Sequence, residues 1–176
     1  GGFTASGVNG GVDFALCRLT SGGTVDTTFG SKGVTRVDIL AFGDQVKALA
    51  VAADDSIVAA GASAESLASN SIDMSFARLT ANGALVTSFG TGGKVALNMH
   101  AGNDFATGVA IQADGKIVFT GYALTPDFPA ASYRQYFIVG RLQATGALDS
   151  TFGTGGITET AFSDHSDQGT ALAIDT

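Results

Sequence analysis

Short apolar blocks of two kinds recur along the chain. In residues 46–53 and 106–113, small and branched apolar residues alternate, which is typical of β-strands. In residues 57–61, 74–79 and 117–121, nearly every residue is apolar. A strand of this second kind is expected to be buried on both faces, as it is when a small sheet lies between two others.

These blocks and their neighbours form sets of four predicted strands, named a to d. The sequence Asp114-Gly115 between strands a and b of one set is a strong hairpin signal, because glycine tolerates positive φ. The predicted ranges are 46–53, 106–113 and 169–176 for a, 57–61 and 117–121 for b, 14–19, 74–79 and 137–142 for c, and 34–39, 94–99 and 157–162 for d.

A longer motif fixes the repeat: Arg-Leu, nine residues, Phe-Gly, two residues and Gly. It begins at Arg18, Arg78 and Arg141, so the repeat length is 60 and then 63 residues. We therefore expect one repeat domain over residues 1–176, with units of about 1–54, 55–114 and 115–176.

Repeated four-stranded antiparallel sheets, stacked face to face, describe the blades of a β-propeller. A β-solenoid is the competing repeat fold. The fold-class prediction is all-β, with three propeller-type blades cut inside the a–b hairpin, so that strand b at the start and strand a at the end lack their partners. The open strands fit flanking repeats in a longer polypeptide, a ring of several copies, or a filament.

Three segments together resemble the delta-60 repeat of bacterial β-propeller-like proteins: residues 14–19 (FALCRL), 110–118 (AIQADGKIV) and 146–156 (GALDSTFGTGG). The resemblance implies a bacterial protein that is exported or at the cell surface. It implies no general catalytic motif or cofactor. The sequence departs from the pattern at Val86, where the other repeats have Asp26 and Asp149, and at Asp55-Ser56.

Composition narrows the range of partners. The formal charge of −7 argues against nucleic acid and anionic membranes, which attract clustered Lys and Arg. No apolar run reaches the ~18 residues of a membrane span. The single cysteine, Cys17, lies in an apolar stretch and is expected to be buried.

The repeated arginines Arg18, Arg78 and Arg141 end apolar strands and are interpreted as structural, since a buried guanidinium requires partners. A ring of guanidinium groups lining a ligand channel is the alternative. The predicted partners are the aspartates that also recur once per unit. These are Asp44, Asp104 and Asp167. The repeated phenylalanines are expected to fill the core: Phe29, Phe89 and Phe152.

The d–a loops are rich in oxygen ligands and give weak candidates for a Ca²⁺ site. The candidate residues are Asp44, Asp104, Asp164 and Asp167. No loop has EF-hand spacing, and aspartate in turns commonly bonds its own backbone. No other cofactor is expected.

The b–c connections differ most in length and are the predicted interaction loops. The longest, 122–135, contains side chains typical of interface anchors. These are Tyr122, Phe128, Tyr133 and Arg134. The alternative is a loop whose aromatic residues lie on its own blade.

The sequence thus favours a non-catalytic, extracellular structural or interaction protein whose partners are copies of itself or flanking repeats. One alternative is a propeller segment that binds carbohydrate, Ca²⁺ or another surface protein through its loops. Another is an accessory segment of a larger secreted enzyme.

Overall fold

The computed structural model describes residues 2–4, 11–64, 66, 71–127, 132–163 and 166–175. These residues form strands and turns. None of them lies in a helix, so the described part of the chain contains no helix that could cross a membrane. The strands are β1 (Gly2–Thr4), β2 (Asp13–Cys17), β3 (Val34–Val37), β4 (Gly43–Val51), β5 (Ile57–Ala64), β6 (Ile72–Leu79), β7 (Lys94–Leu97), β8 (Asp104–Ile111), β9 (Ile117–Asp127), β10 (Ser132–Leu142) and β11 (Ile157–Thr160).

The strands form three antiparallel meanders, which we call the first, second and third blades. The first is β1-β2-β3, the second β4-β5-β6-β7 and the third β8-β9-β10-β11. The second and third contain strands a to d, whereas the first contains b, c and d. The predicted all-β fold of propeller-type blades is confirmed.

The apolar core lies between the blades. One cluster joins Phe14 and Phe29 of the first blade to Ala59 and Leu79 of the second. A second cluster joins the second blade to the third, where the rings of Phe76 and Phe119 are 4.9 Å apart. β5 is buried at all six of its inner positions, as its unbroken apolar sequence predicts.

The edge strands β4 and β8 each carry a bulge, at Lys47 and Thr107. A bulge brings the two backbones of the hairpin together, and a Cβ on the facing Gly61 or Gly121 would overlap a main-chain oxygen. Glycine at position 61 of β5 and at position 121 of β9 is therefore required by close backbone approach.

Two predicted boundaries are wrong. The connection 122–135 is largely a continuation of the hairpin, because β9 and β10 stay paired out to Asp127 and Ser132. Residues 169–175, predicted as strand a, form no strand, and no described strand b lies beside them. The segment still lies against the third blade, where Gly169 N donates to Gly121 O over 3.0 Å.

Candidate functional site in the seams between blades

Arg18 and Arg141 each bond an aspartate of their own c–d turn. Arg18 Nε lies 2.9 Å from Asp26 Oδ2, and Arg141 Nε lies 2.8 Å from Asp149 Oδ2. The predicted pairing with Asp44, Asp104 and Asp167 is therefore wrong. The turn folds back so that Asp26 N donates to Arg18 O over 2.9 Å, which places the aspartate eight residues later beside the guanidinium.

The second blade departs from this pairing because Val86 replaces the aspartate. Arg78 Nη2 instead donates to Ser56 Oγ over 3.1 Å, and its buried Nε has no partner among the described residues. In the third blade, hydrogen bonds from Thr151 and Arg141 lower the pKa of Asp149 to about 2. The Arg78 site is thus an incomplete version of the other two.

The recurring aspartates of strand a hold the d–a corners, because each accepts two main-chain N–H groups over 2.7–3.3 Å. The donors are Ile39 and Leu40 to Asp44, Met99 and His100 to Asp104, and Phe162 and Ser163 to Asp167. Burial raises the pKa of Asp44, and it raises that of Asp104 to about 6. The main-chain bond from Ser163 lowers the pKa of Asp167. Asp164 lies outside the described residues.

A repeated seam joins each blade to the next. Arg78 Nη1 donates to Ala144 O over 3.2 Å, and Arg18 Nη1 donates likewise to Ala81 O. The glycine after each phenylalanine donates its N–H to the main-chain oxygen of the residue that follows this alanine. The bonds are Gly30 N to Asn82 O at 2.9 Å and Gly90 N to Thr145 O at 2.7 Å.

A glycine of the next blade covers each phenylalanine in these two seams. Phe29 and Phe89 are each 1% exposed. A Cβ on Gly83 would lie 3.0 Å from the ring of Phe29, and one on Gly146 would lie 3.1 Å from the ring of Phe89. Both glycines also have positive φ. We call the glycine at this position of each blade its seat glycine. The sequence identifies these glycines as turn residues, but it does not reveal that they contact the preceding blade.

The third blade has the phenylalanine side of a seam, and no described residue of a further blade covers it. Phe152 is partly exposed beside Arg141, whose guanidinium lies 4.9 Å from the ring centre. Arg141 Nη1 donates to no described residue, unlike Nη1 of Arg18 and Arg78. Phe162, at the position of the packed Met99, is 74% exposed.

The first blade carries the opposite side of the seam. Its seat glycine, Gly23, has φ of +80°, and a Cβ added there would meet nothing within 4 Å. Cys17 is exposed, whereas Ala77 at the same position of the second blade is completely buried. The prediction that Cys17 is buried is wrong, because no described residue covers this face of the first blade.

An apolar surface adjoins the edge of β1 that lacks a strand a. Leu49 is 43% exposed and Val51 is 65% exposed on β4. Val109 and Ile111, at the same positions on β8, are partly buried against the core. A cavity of about 490 Å³ beside Leu49 and Val51 extends to Leu16.

Two of the predicted interaction residues, Tyr122 and Arg134, contact their own blade. Tyr122 stacks on Phe105 of the adjacent strand with ring centres 4.9 Å apart, and burial raises its pKa. Arg134 lies 5.2 Å from the ring centre of Tyr136 and donates to Ser163 O over 3.3 Å. Phe128 and the side chain of Tyr133 lie outside the described part of the chain.

A carboxylate cluster lies at the junction of the first and second blades, away from the arginine and phenylalanine contacts of the seam. Asp13, Asp38 and Asp44 each place one carboxylate oxygen within 4.8 Å of the others. Of the predicted Ca²⁺ candidates that the structure describes, only Asp44 belongs to this group. The sequence reasoning missed Asp13 and Asp38, although each lies at the edge of a predicted strand.

The blades and their seams define a β-propeller-type repeat protein. The chain belongs to the family described as "Domain of unknown function (DUF5122) beta-propeller", whose profile matches residues 1–29, 52–89 and 112–152. The matched stretches end at the repeated phenylalanines Phe29, Phe89 and Phe152. No curated protein matches the chain.

Proposed function

We propose that this chain is a non-catalytic structural and interaction protein, which assembles by stacking its blades on further blades of the same repeat. The partner blade belongs to a second copy or to a flanking repeat. The observation that carries the proposal is complementarity: the third blade presents an uncovered phenylalanine side, and the first blade presents an uncovered glycine side. Two internal seams serve as templates for the contact.

The two internal seams predict which hydrogen bonds would form in the proposed seam between copies. By equivalence with the internal seams, Arg141 Nη1 donates to the main-chain oxygen of Ser21, and Gly153 N donates to that of Gly22. Gly23 then covers Phe152. These contacts would use Arg141 Nη1, which donates to no described residue. They would also bury the exposed part of Phe152.

Strand addition supports the same arrangement. Residues 169–175 correspond in the repeat to strand a, and β1 corresponds to strand b. The register of β8 with β9 places Ala110 opposite Val118 and Ile111 opposite Ile117. The same register between copies places Ala173 opposite Thr4 and Ile174 opposite Phe3. The added strand would cover Leu49 and Val51, and an unpaired edge is a surface on which such pairing is favoured.

The contact joins unlike faces, so it generates a ring when the rotation closes and a filament when it does not. Two copies of three blades would give six, within the roughly 4–8 blades of closed propellers. The resemblance to exported bacterial repeat proteins supports an extracellular setting for this assembly.

Sedimentation velocity over a concentration series tests the proposal with a matched pair of variants. Gly23→Asn places a side chain at the seat, whereas Gly22→Asn places the same side chain where the second and third blades already have Asn82 and Thr145. Asparagine tolerates positive φ, and a Cβ at Gly23 meets nothing within one chain, so both variants should fold. We expect Gly23→Asn to abolish association and Gly22→Asn to preserve it.

The native thiol supplies a second measurement. Cys17 lies on the face that the partner would cover, so its reaction rate with a disulfide reagent should fall as wild-type concentration rises, and should stay constant for Gly23→Asn. A wild-type chain that remains monomeric, with Cys17 equally reactive at every concentration, would argue against self-assembly.

A further inference from the structure

A cavity of about 310 Å³ lies where the a–b turns of the second and third blades come together. Residues 51–54 and Arg78 line it from the second blade, and residues 111–113 and Gly115 line it from the third. Its volume lies at the lower end of the range for small-molecule sites, which is ~300–1,000 Å³. Both blades belong to one chain, so a ligand bound here needs no second copy.

Two residues that line the cavity each have a buried polar atom without a partner. Arg78 Nε is a donor and Gln112 Oε1 is an acceptor, and neither has a hydrogen-bond partner among the described residues. A buried donor or acceptor that makes no hydrogen bond is costly, because it has lost its bonds to water. Both groups therefore favour a bound molecule that can accept a hydrogen bond from one and donate to the other.

The junction between the first and second blades differs at both positions. There Arg18 Nε donates to Asp26 Oδ2 over 2.9 Å, and Ala52 stands at the position of Gln112. Between the second and third blades, Val86 replaces the aspartate and Gln112 replaces the alanine. Two departures from the repeat thus fall on one cavity, and each adds an unpartnered polar atom to the residues that line it.

The charges around the cavity indicate a neutral ligand. Arg78 Nη2 donates to Ser56 Oγ over 3.1 Å, and Ser56 Oγ donates to Asp54 Oδ1 over 2.6 Å, so the serine hydroxyl links the two charges. Hydrogen bonds from Ser56 and the nearby charge of Arg78 lower the pKa of Asp54, which keeps this carboxylate ionised at neutral pH. An anion would be repelled by Asp54 and a cation by Arg78. Arg78 Nε therefore lacks a hydrogen-bond acceptor rather than a counter-ion.

We propose that this cavity binds a neutral polyhydroxylated molecule of monosaccharide size. A hydroxyl group both accepts and donates, so sugar hydroxyls can accept from Arg78 Nε and donate to Gln112 Oε1 and to the Asp54 carboxylate. Apolar side chains provide the surface against which the C–H groups of a sugar ring pack. These are Val51, Ala52, Ala53, Ile111 and Ala113. The site is independent of the self-assembly proposed above, because it forms within a single chain.

Nuclear magnetic resonance of the arginine Nε–H groups tests the site, at a concentration where the protein is monomeric. D-glucose, D-galactose, D-mannose and glycerol are titrated one at a time. We expect at least one of them to shift the Arg78 Nε–H signal saturably. The Arg18 and Arg141 signals are controls in the same sample and should not move, because Asp26 and Asp149 already accept from their Nε–H groups.

Two variants copy residues that other blades already have, so both should fold. Val86→Asp gives Arg78 the aspartate of the first and third blades and should abolish the response of the Arg78 signal. Gln112→Ala copies Ala52 and should weaken binding roughly 5-fold, the effect of one lost hydrogen bond. Val86→Ile is the matched control, since it adds no acceptor and should bind as wild type does.

The proposal is overturned if none of the four compounds shifts the Arg78 signal, or if Val86→Asp responds as wild type does. Equal shifts of all three arginine signals would show a general solvent effect and would also overturn it. Sodium acetate is titrated in parallel. A saturable shift with acetate and with none of the hydroxylated compounds would show a carboxylate site instead of the one proposed.

Discussion

The seat glycines allow the energy of one blade seam to be isolated by a single methyl group. Gly23, Gly83 and Gly146 have nearly the same backbone, with φ of +80°, +83° and +89°. Alanine at each position therefore carries the same backbone cost, about 1–2 kcal/mol for a left-handed residue. Gly23 alone faces no neighbouring blade among the described residues, so Gly23→Ala measures that backbone cost by itself.

At Gly83 the added methyl also enters the seam. It would overlap Thr35 Oγ1 and lie 3.0 Å from the ring of Phe29 and 3.1 Å from Gly30 N. Overpacking of this kind costs about 1–3 kcal/mol. Gly83→Ala should therefore lower the free energy of unfolding by about 2–5 kcal/mol, against about 1–2 kcal/mol for Gly23→Ala. Gly146→Ala repeats the test at the second seam.

Urea unfolding followed by far-ultraviolet circular dichroism measures these differences, at a protein concentration where sedimentation shows monomers. The comparison requires unchanged m-values, since a changed slope signals a different unfolding reaction. Equal losses at Gly23, Gly83 and Gly146 would refute the reasoning, because they would show that contact between blades adds nothing to the backbone cost.

Three further predictions concern charged groups. Val86→Asp should give Arg78 the carboxylate that the other two arginines have and raise the free energy of unfolding by about 1 kcal/mol in urea; an equal gain from Val86→Asn would exclude the ion pair as its cause. The pKa of Asp104 is raised to about 6, from about 4 in an unfolded chain. Its stabilising effect is therefore complete below about pH 4 and lost as the pH rises through about 6, and Asp104→Asn should flatten the Tm profile across that range. The pKa of Asp149 is lowered to about 2, so its effect is present above about pH 4 and lost toward pH 2; Asp149→Asn should reduce Tm at pH 7 more than at pH 2.

The strands could be predicted because the repeat supplies each pattern more than once. The partner of the arginines could not be chosen in this way. One set of aspartates recurs in all three units: Asp44, Asp104 and Asp167. The true partner recurs in only two, because Val86 replaces it in the second unit, so the number of recurrences favoured the wrong aspartates. Local turn geometry decides the pairing, and it brings Asp26 to Arg18 before any distant residue.

The seams were beyond sequence reasoning for a different reason. They depend on where a turn of one blade contacts a side chain of the preceding blade, about 60 residues earlier in the chain. In the sequence, a glycine required for its positive φ cannot be distinguished from one required because a side chain would not fit. The exposure of Cys17 likewise depends on what covers a blade, which its own apolar neighbours do not reveal. Residues 122–135 lie between the predicted strands b and c and are therefore predicted as a connection, yet cross-strand pairing continues through Pro126.

The two halves of the seam lie within one unit, and this has an evolutionary consequence. A gene duplication of 60 or 63 residues carries a phenylalanine that needs a cover and a glycine that can provide one. The new blade meets both neighbours through contacts that already exist, so no compensating substitution is needed. Blade number can therefore change in a single genetic event, while a substitution at one seat glycine is felt at one seam only.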